Sequence, residues 1–164
     1  MTEKKMLVID LCTTGLHPLK DFMTGVACKS ADEERVITNE NESELINELV
    51  RYIKDNNFEE VYGFNSAKFD VPFLRIRCLK HGISLKDLNV EFIDLRAVLS
   101  GNVDRMQGTL SDYKKLLNIA GQCNKIDIRI AWKSGNIQPY KEVILDDVRT
   151  TWCLLERTKE VGLL

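Results

Sequence analysis

Three aspartates stand where runs of regular structure begin or end, and between them they could bring negative charge to one edge of a fold. Asp10 closes the hydrophobic run of "MLVIDLCTTGLHP" (6–18) and is followed by Cys12 and a Thr-Thr-Gly turn. Side chains alternate along a strand, so Asp10 and Cys12 point the same way while Leu11 faces the core. Asp70 arrives in "YGFNSAKFDVPFLRIRC" (62–78), just before a helix that carries Pro72 in its first turn. Asp147, with Asp146 beside it, lies in "EVILDDVRTTWCLLER" (142–157). Singly, each has a plain structural explanation: a turn cap for Asp10, a favourable helix dipole for Asp70, and a solvated helix face for the Asp146–Asp147 pair. Gathered at the carboxyl ends of strands, where open sheets form their sites, the same acids would suit metal ions, which supply the local positive field.

The elements that must position these residues follow from periodicity and punctuation. Residues 6–11, 22–28 and 34–38 read as three strands, the last two joined by a polar hairpin connection. Residues 41–54 read as a helix with its apolar positions 45, 46, 49, 50 and 53 on one face, capped by Asn41 or Ser43. A strand at 60–64 precedes a helix that ends before Gly82. A further strand at 90–95 feeds a turn. A short helix runs from Thr109 to Gly121, and a long final helix runs from Pro139 to near Gly162. An antiparallel meander followed by βα units predicts an α/β fold with a mixed sheet and helices on both faces, in one domain over 1–164.

Composition sets the class. With 164 residues, 44% hydrophobic and 29% charged, the chain can bury a sizeable core. A net charge of −2 argues against a surface coated for bulk nucleic-acid binding but leaves room for a local groove. No apolar run approaches the roughly 18–20 residues that span a bilayer. The opening "MTEKKMLVID" passes directly into a strand, unlike a signal peptide. The five cysteines (12, 28, 78, 123 and 153) are scattered, with no CxxC pair, so a disulfide framework or zinc site is not expected. A cytoplasmic location with no membrane association is the expectation.

In this order the three segments resemble the DEDD (DnaQ-like) 3′–5′ exonuclease superfamily, and most closely the exonuclease domains of family B DNA polymerases and their stand-alone relatives. The first motif of that family, Asp-x-Glu followed by Thr-Gly, reads "DLCTTGL". The second, Asn-x-x-x-Phe/Tyr-Asp, reads "NSAKFD" and is intact. The third, Tyr-x-x-x-Asp or His-x-x-x-x-Asp, reads "EVILDDV". The resemblance implies a ribonuclease H-like fold and two divalent ions, Mg²⁺ or Mn²⁺, clamping a scissile phosphate. It implies that Asp10, Asp70 and Asp147 are catalytic metal ligands. Thr14, Gly15 and Leu16 would meet the terminal nucleotide, and Asn65 and Phe69 would line the groove of a single strand, where an aromatic face can stack a base.

Two family positions are changed. Cys12 stands where the glutamate belongs, and a mostly protonated thiol is a poor ligand for a hard cation. Val143 stands where a tyrosine would orient the attacking water. Glu142, five residues before Asp147, is the candidate substitute, although that offset turns it about 140° away on a regular helix. Asp146 is a second spare carboxylate. Arg75, Arg77 and Lys80, with Lys125, Arg129 and Lys133, are candidates for the rim of a phosphate groove, or for ordinary surface charge. His17 reads as a loop residue, and Trp132 and Trp152 as core or half-buried.

The leading expectation is a nuclease-fold domain that binds the 3′ end of single-stranded DNA or RNA, with hydrolysis weak or lost. It would act alone or within a larger replication, repair or RNA-processing assembly. An active Mg²⁺- or Mn²⁺-dependent exonuclease using Asp10, Asp70 and Asp147 is the second reading. A protein-interaction scaffold without nucleic acid is the third.

Overall fold

Strand β1 (Met6–Thr13) is the middle of a five-stranded sheet because both of its faces are apolar and need cover. The computed structural model describes residues 4–101, 108–120 and 128–164. On one side of β1 lie β2 (Met23–Lys29) and then β3 (Glu34–Thr38), both antiparallel to their neighbours. On the other side lie β4 (Glu60–Gly63) and then β5 (Glu91–Asp94), both parallel. The order β3-β2-β1-β4-β5 therefore changes from antiparallel to parallel at β1. This is the expected ribonuclease H-like mixed sheet.

The alternation along β1 divides the core in two. Leu7, Ile9 and Leu11 pack against helices α1 (Glu42–Asp55) and α2 (Asp70–His81) through Leu45, Ile46, Leu49, Phe73 and Leu74. Val8 and Cys12 face the opposite layer, where α6 (Ile137–Glu160) contributes Tyr140, Ile144, Val148 and Trp152. Asp10 shares that second face by alternation. Helix α1 is capped by Asn41, whose side chain accepts from the backbone N–H groups of Ser43 and Glu44. Helix α2 stops at Gly82, whose φ of 67° is the left-handed conformation that glycine reaches without a Cβ clash.

Three elements differ from the sequence-based expectation. The strand ending at Asp94 passes directly into a helix, α3 (Leu95–Ser100), for which Asp94 is the N-cap. The helix begun by Thr109, α4 (Leu110–Leu116), is shorter than expected and opens on a capping box between Thr109 and Asp112. Its expected end at Gly121 lies outside the described residues, as does Lys125. A further short helix, α5 (Ile128–Lys133), had no periodic signal of its own, and the side chain of Arg129 within it is also outside the description. The described cysteines, 12, 28, 78 and 153, are free thiols. Among the described residues no helix is long and apolar enough to cross a membrane.

Candidate active site

Asp10 lies beyond the last rung that β1 shares with β4, Val8 opposite Tyr62, so its carboxylate stands at the carboxyl ends of two parallel strands. Asp70 is the first residue of α2 and is 5% exposed. Its carboxylate accepts the backbone N–H of Leu11 at 3.0 Å, which fixes the start of α2 against β1. Burial raises the Asp70 pKa to about 6, the Leu11 N–H opposes the rise, and Asp94 adds to it. Burial likewise pushes Asp10 well above the usual carboxylate range, and the charges of Asp70 and Asp147 push it further. Asp147, on α6, is also raised, first by burial and then by Asp146, with Lys114 opposing. Asp10 thus lies within electrostatic reach of both Asp70 and Asp147.

Two networks hold the segments that carry these acids. Asp94 accepts from the backbone N–H groups of Asn65 at 2.8 Å, Ala67 at 3.0 Å and Arg96 at 2.9 Å. It therefore ties the turn before Asp70 to the end of β5. Asn65 adopts a left-handed φ of 61°, and its side-chain oxygen accepts from Arg96 Nη1 at 3.0 Å. Phe69 is half-buried, its ring 5.5 Å from that of Phe73.

The second network closes the 14–22 loop. Thr14 N–H donates to the Phe22 carbonyl at 3.0 Å, and Phe22 N–H returns to Thr14 Oγ1 at 3.1 Å. A Cβ at Gly15 would lie 2.5 Å from the Asp21 carboxylate, so a larger residue there would displace the Asp21 side chain that accepts the His17 N–H. The loop leaves Leu16 82% exposed beside the acids' strand. Beneath it, Arg77 is only 3% exposed. Arg77 donates to Glu42 and, through Nη1, to the Pro18 carbonyl at 3.0 Å, while Glu42 Oε1 accepts the Met23 N–H at 2.7 Å. His81 Nε2 lies 2.7 Å from Glu42 Oε2. Arg77 is therefore a buried loop anchor and not part of a groove rim; Arg75, Lys80 and Lys133 are exposed.

The changed positions are equally definite in place. Cys12 is 4% exposed, and burial followed by the Asp10 charge pushes its thiol well up, so it stays neutral. Val143 is half-buried on α6. Glu142 is exposed and pairs with Arg149, which is also bonded to Glu34. Asp146 pairs with Lys114.

Two functional-looking residues were missed from sequence. Asp94 could have been suspected from its place at the junction of an apolar run and a turn. Tyr140 precedes Asp147 by seven residues, two helical turns, which puts both on one face. Its side chain is 0% exposed, its hydroxyl is 3.0 Å from Thr24 Oγ1, and its ring is 5.5 Å from that of Trp132.

The donor chemistry suits a hard divalent cation: the candidate ligands are carboxylate oxygens, partly withdrawn from water and mutually repelling. Among the described residues, no three or more His, Cys, Asp or Glu side chains are placed as a group that could hold a metal ion. The donors are arranged around Asp10 rather than forming a ready-made cage.

Residues 3–116 match the family described as DNA polymerase family B, exonuclease domain. The chain belongs to that family. A family B exonuclease domain is a 3′–5′ exonuclease-type hydrolase at the family level, and such domains generally depend on divalent metal. The chain is 27% identical over 171 residues to an uncharacterized protein of Methanocaldococcus jannaschii, covering 96% of this chain and 97% of that protein. It is 33% identical over 132 residues to a DNA polymerase of Archaeoglobus fulgidus, covering 72% of this chain and 17% of the polymerase. The structure superposes on the family B DNA polymerase of Pyrobaculum calidifontis with a TM-score of 0.80 at 20% identity, over 95% of this chain and 24% of that one. This exonuclease domain thus spans a small part of the two polymerases and nearly all of the Methanocaldococcus protein.

Proposed function

We propose that this exonuclease domain binds the 3′ end of single-stranded DNA or RNA at the Asp10–Asp70–Asp147 edge, with phosphodiester hydrolysis weak or lost. The observation that supports this reading most is the contrast at one edge: Asp10 is kept within electrostatic reach of a buried Asp70 and a half-buried Asp147, while the fourth position holds a sealed, neutral thiol. A scaffold with no nucleic-acid role has no need to hold three repelling carboxylates together, since burying them without a cation is costly.

Asp10, Asp70 and Asp147 would hold Mg²⁺ or Mn²⁺, which when bound supplies Lewis-acid activation and neutralises charge at a phosphate. The chain's own residues do the rest. The braced 14–22 loop presents Thr14, Gly15 and Leu16 to the terminal nucleotide. Asn65 and Phe69 line the path of the strand, with Asn65 oriented by Arg96. Val143 offers no group to orient a water or take its proton, and a missing general base costs about 10²–10⁴ in rate. Cys12 gives a hard cation no oxygen, and a lost ligand weighs more than the ~10–100-fold typical of groups behind the ligands. Such a domain would serve as an end-binding part of a replication, repair or RNA-processing assembly.

A 3′-labelled single strand incubated with the domain and Mg²⁺ or Mn²⁺ tests the reading. The expected outcome is retention of the strand with little or no shortening. Rapid shortening that disappears in Asp10→Ala would instead establish a working exonuclease with a degenerate site.

A further inference from the structure

The Cys12–Gly25 rung of the β1–β2 pair has an unusual neighbour. Cys12 is paired in register with Gly25, so this rung offers one short side chain and no second one. The Tyr140 hydroxyl enters the space above it. A Cβ added at Gly25 would lie 2.6 Å from that hydroxyl, closer than such atoms approach. Next along β2, Thr24 Oγ1 shares a hydrogen bond with the same hydroxyl at 3.0 Å. The hydroxyl also interacts with the Cys12 thiol and lies within the electrostatic reach of Asp10. On its outer side the Tyr140 ring is backed by Trp132 of α5. With Tyr140 at 0% and Cys12 at 4% exposure, this corner is closed to bulk solvent.

We propose that Cys12, Gly25 and Tyr140 form a matched neutral plug filling the volume that a carboxylate at position 12 would need, so that the edge holds a single divalent cation. The inference rests on the proposed function insofar as it takes Asp10, Asp70 and Asp147 as the cation's ligands. A divalent cation takes six or more oxygen donors, counting waters. On the Cys12 side of Asp10 the thiol offers no oxygen and the corner is closed to bulk solvent, so cation binding is confined to the side facing Asp70 and Asp147. Tyr140 cannot serve as a substitute for the tyrosine missing at position 143, because its hydroxyl is committed to Thr24 and sealed from solvent.

The plug also makes Cys12 more than a lost acid. A glutamate placed there would meet the Tyr140 hydroxyl and bury a charge beside Asp10, so replacing Cys12 alone cannot rebuild the position. The two residues must change together.

The test is Mn²⁺ binding counted by electron paramagnetic resonance on the whole domain, together with melting of a four-variant cycle. The parent should bind one Mn²⁺. Cys12→Glu should bind no second ion and melt at least ~5 °C lower, a shift expected for loss of roughly 2 kcal/mol in a domain of this size. In the Tyr140→Leu background the same Cys12→Glu change should lower the melting temperature less, and a second Mn²⁺ should appear. Two ions in the parent, or melting losses that simply add across the cycle, would overturn the plug. No Mn²⁺ in the parent would overturn the cation count together with the function beneath it. The melting cycle would still read the plug separately.

Discussion

Glu42 and Arg77 illustrate how a single residue can serve the site from outside it. Glu42 sits at the start of α1 and Arg77 in α2, yet together they hold the middle and the far end of the loop that carries Thr14, Gly15 and Leu16, at Pro18 and Met23. Burial opposes ionisation of Glu42, but hydrogen bonds from Arg77, His81 and the Met23 N–H outweigh it and hold its pKa below the ordinary 4.5. A depressed carboxyl contributes stability that is present above its unfolded pKa and lost as pH falls through its folded one. Glu42→Gln leaves the buried guanidinium short of its counter-charge, a loss of about 3–5 kcal/mol at neutral pH. Chemical denaturation of the two forms should show this gap at pH 7 and a shrinking gap below pH 4.5; a constant gap would mean that charge is not what Glu42 contributes. From sequence Arg77 was open between a groove rim and ordinary surface charge, and neither holds, because its partner lies 35 residues earlier, in another helix. Local spacing carries no record of that.

At the scale of elements, the turn at 65–69 is held by the end of β5 rather than by its own sequence. Asp94 receives three backbone donors there, two from the turn and one from α3. Asp94→Ala should lower stability by about 1–3 kcal/mol, the cost of leaving such donors without an acceptor. It should also weaken Mn²⁺ binding several-fold, because Asp70 follows directly on the turn; Asp94→Asn, which keeps one acceptor oxygen, should fall between. Calorimetric titration of the three proteins would check this, and unchanged Mn²⁺ affinity in Asp94→Ala would separate the turn from the site. The main strands and α1, α2 and α6 were legible because their apolar period, caps and terminal glycines agree. Helix α3 was legible only through the family resemblance of "FIDLRAVLSG", since this segment runs from strand to helix with no glycine or proline between, and only the capping role of Asp94 marks the change. Helix α5 is too short for a period to show.

The whole molecule places its acids where the sheet changes character. β1 pairs antiparallel with β2 and parallel with β4, so the end of β1 is left open to α2 on one face and α6 on the other. That topology puts Asp10 within electrostatic reach of Asp70 and Asp147, and the order of elements could be anticipated once the periodicity and the intact "NSAKFD" segment were read together. The closed corner at Tyr140 could not, because it depends on a glycine and a cysteine meeting across two strands. The central claim is that this edge is a cation-dependent seat for a free 3′ end. Fluorescence anisotropy of a labelled single strand, with and without Mn²⁺, tests it most directly when linear and circular strands of one sequence are compared. The account predicts that Mn²⁺ tightens binding of the linear strand at least ~10-fold, about 1.4 kcal/mol, with no such gain for the circle or for Asp10→Asn. Equal binding of the two strands, or binding indifferent to Mn²⁺ and to Asp10, would contradict it.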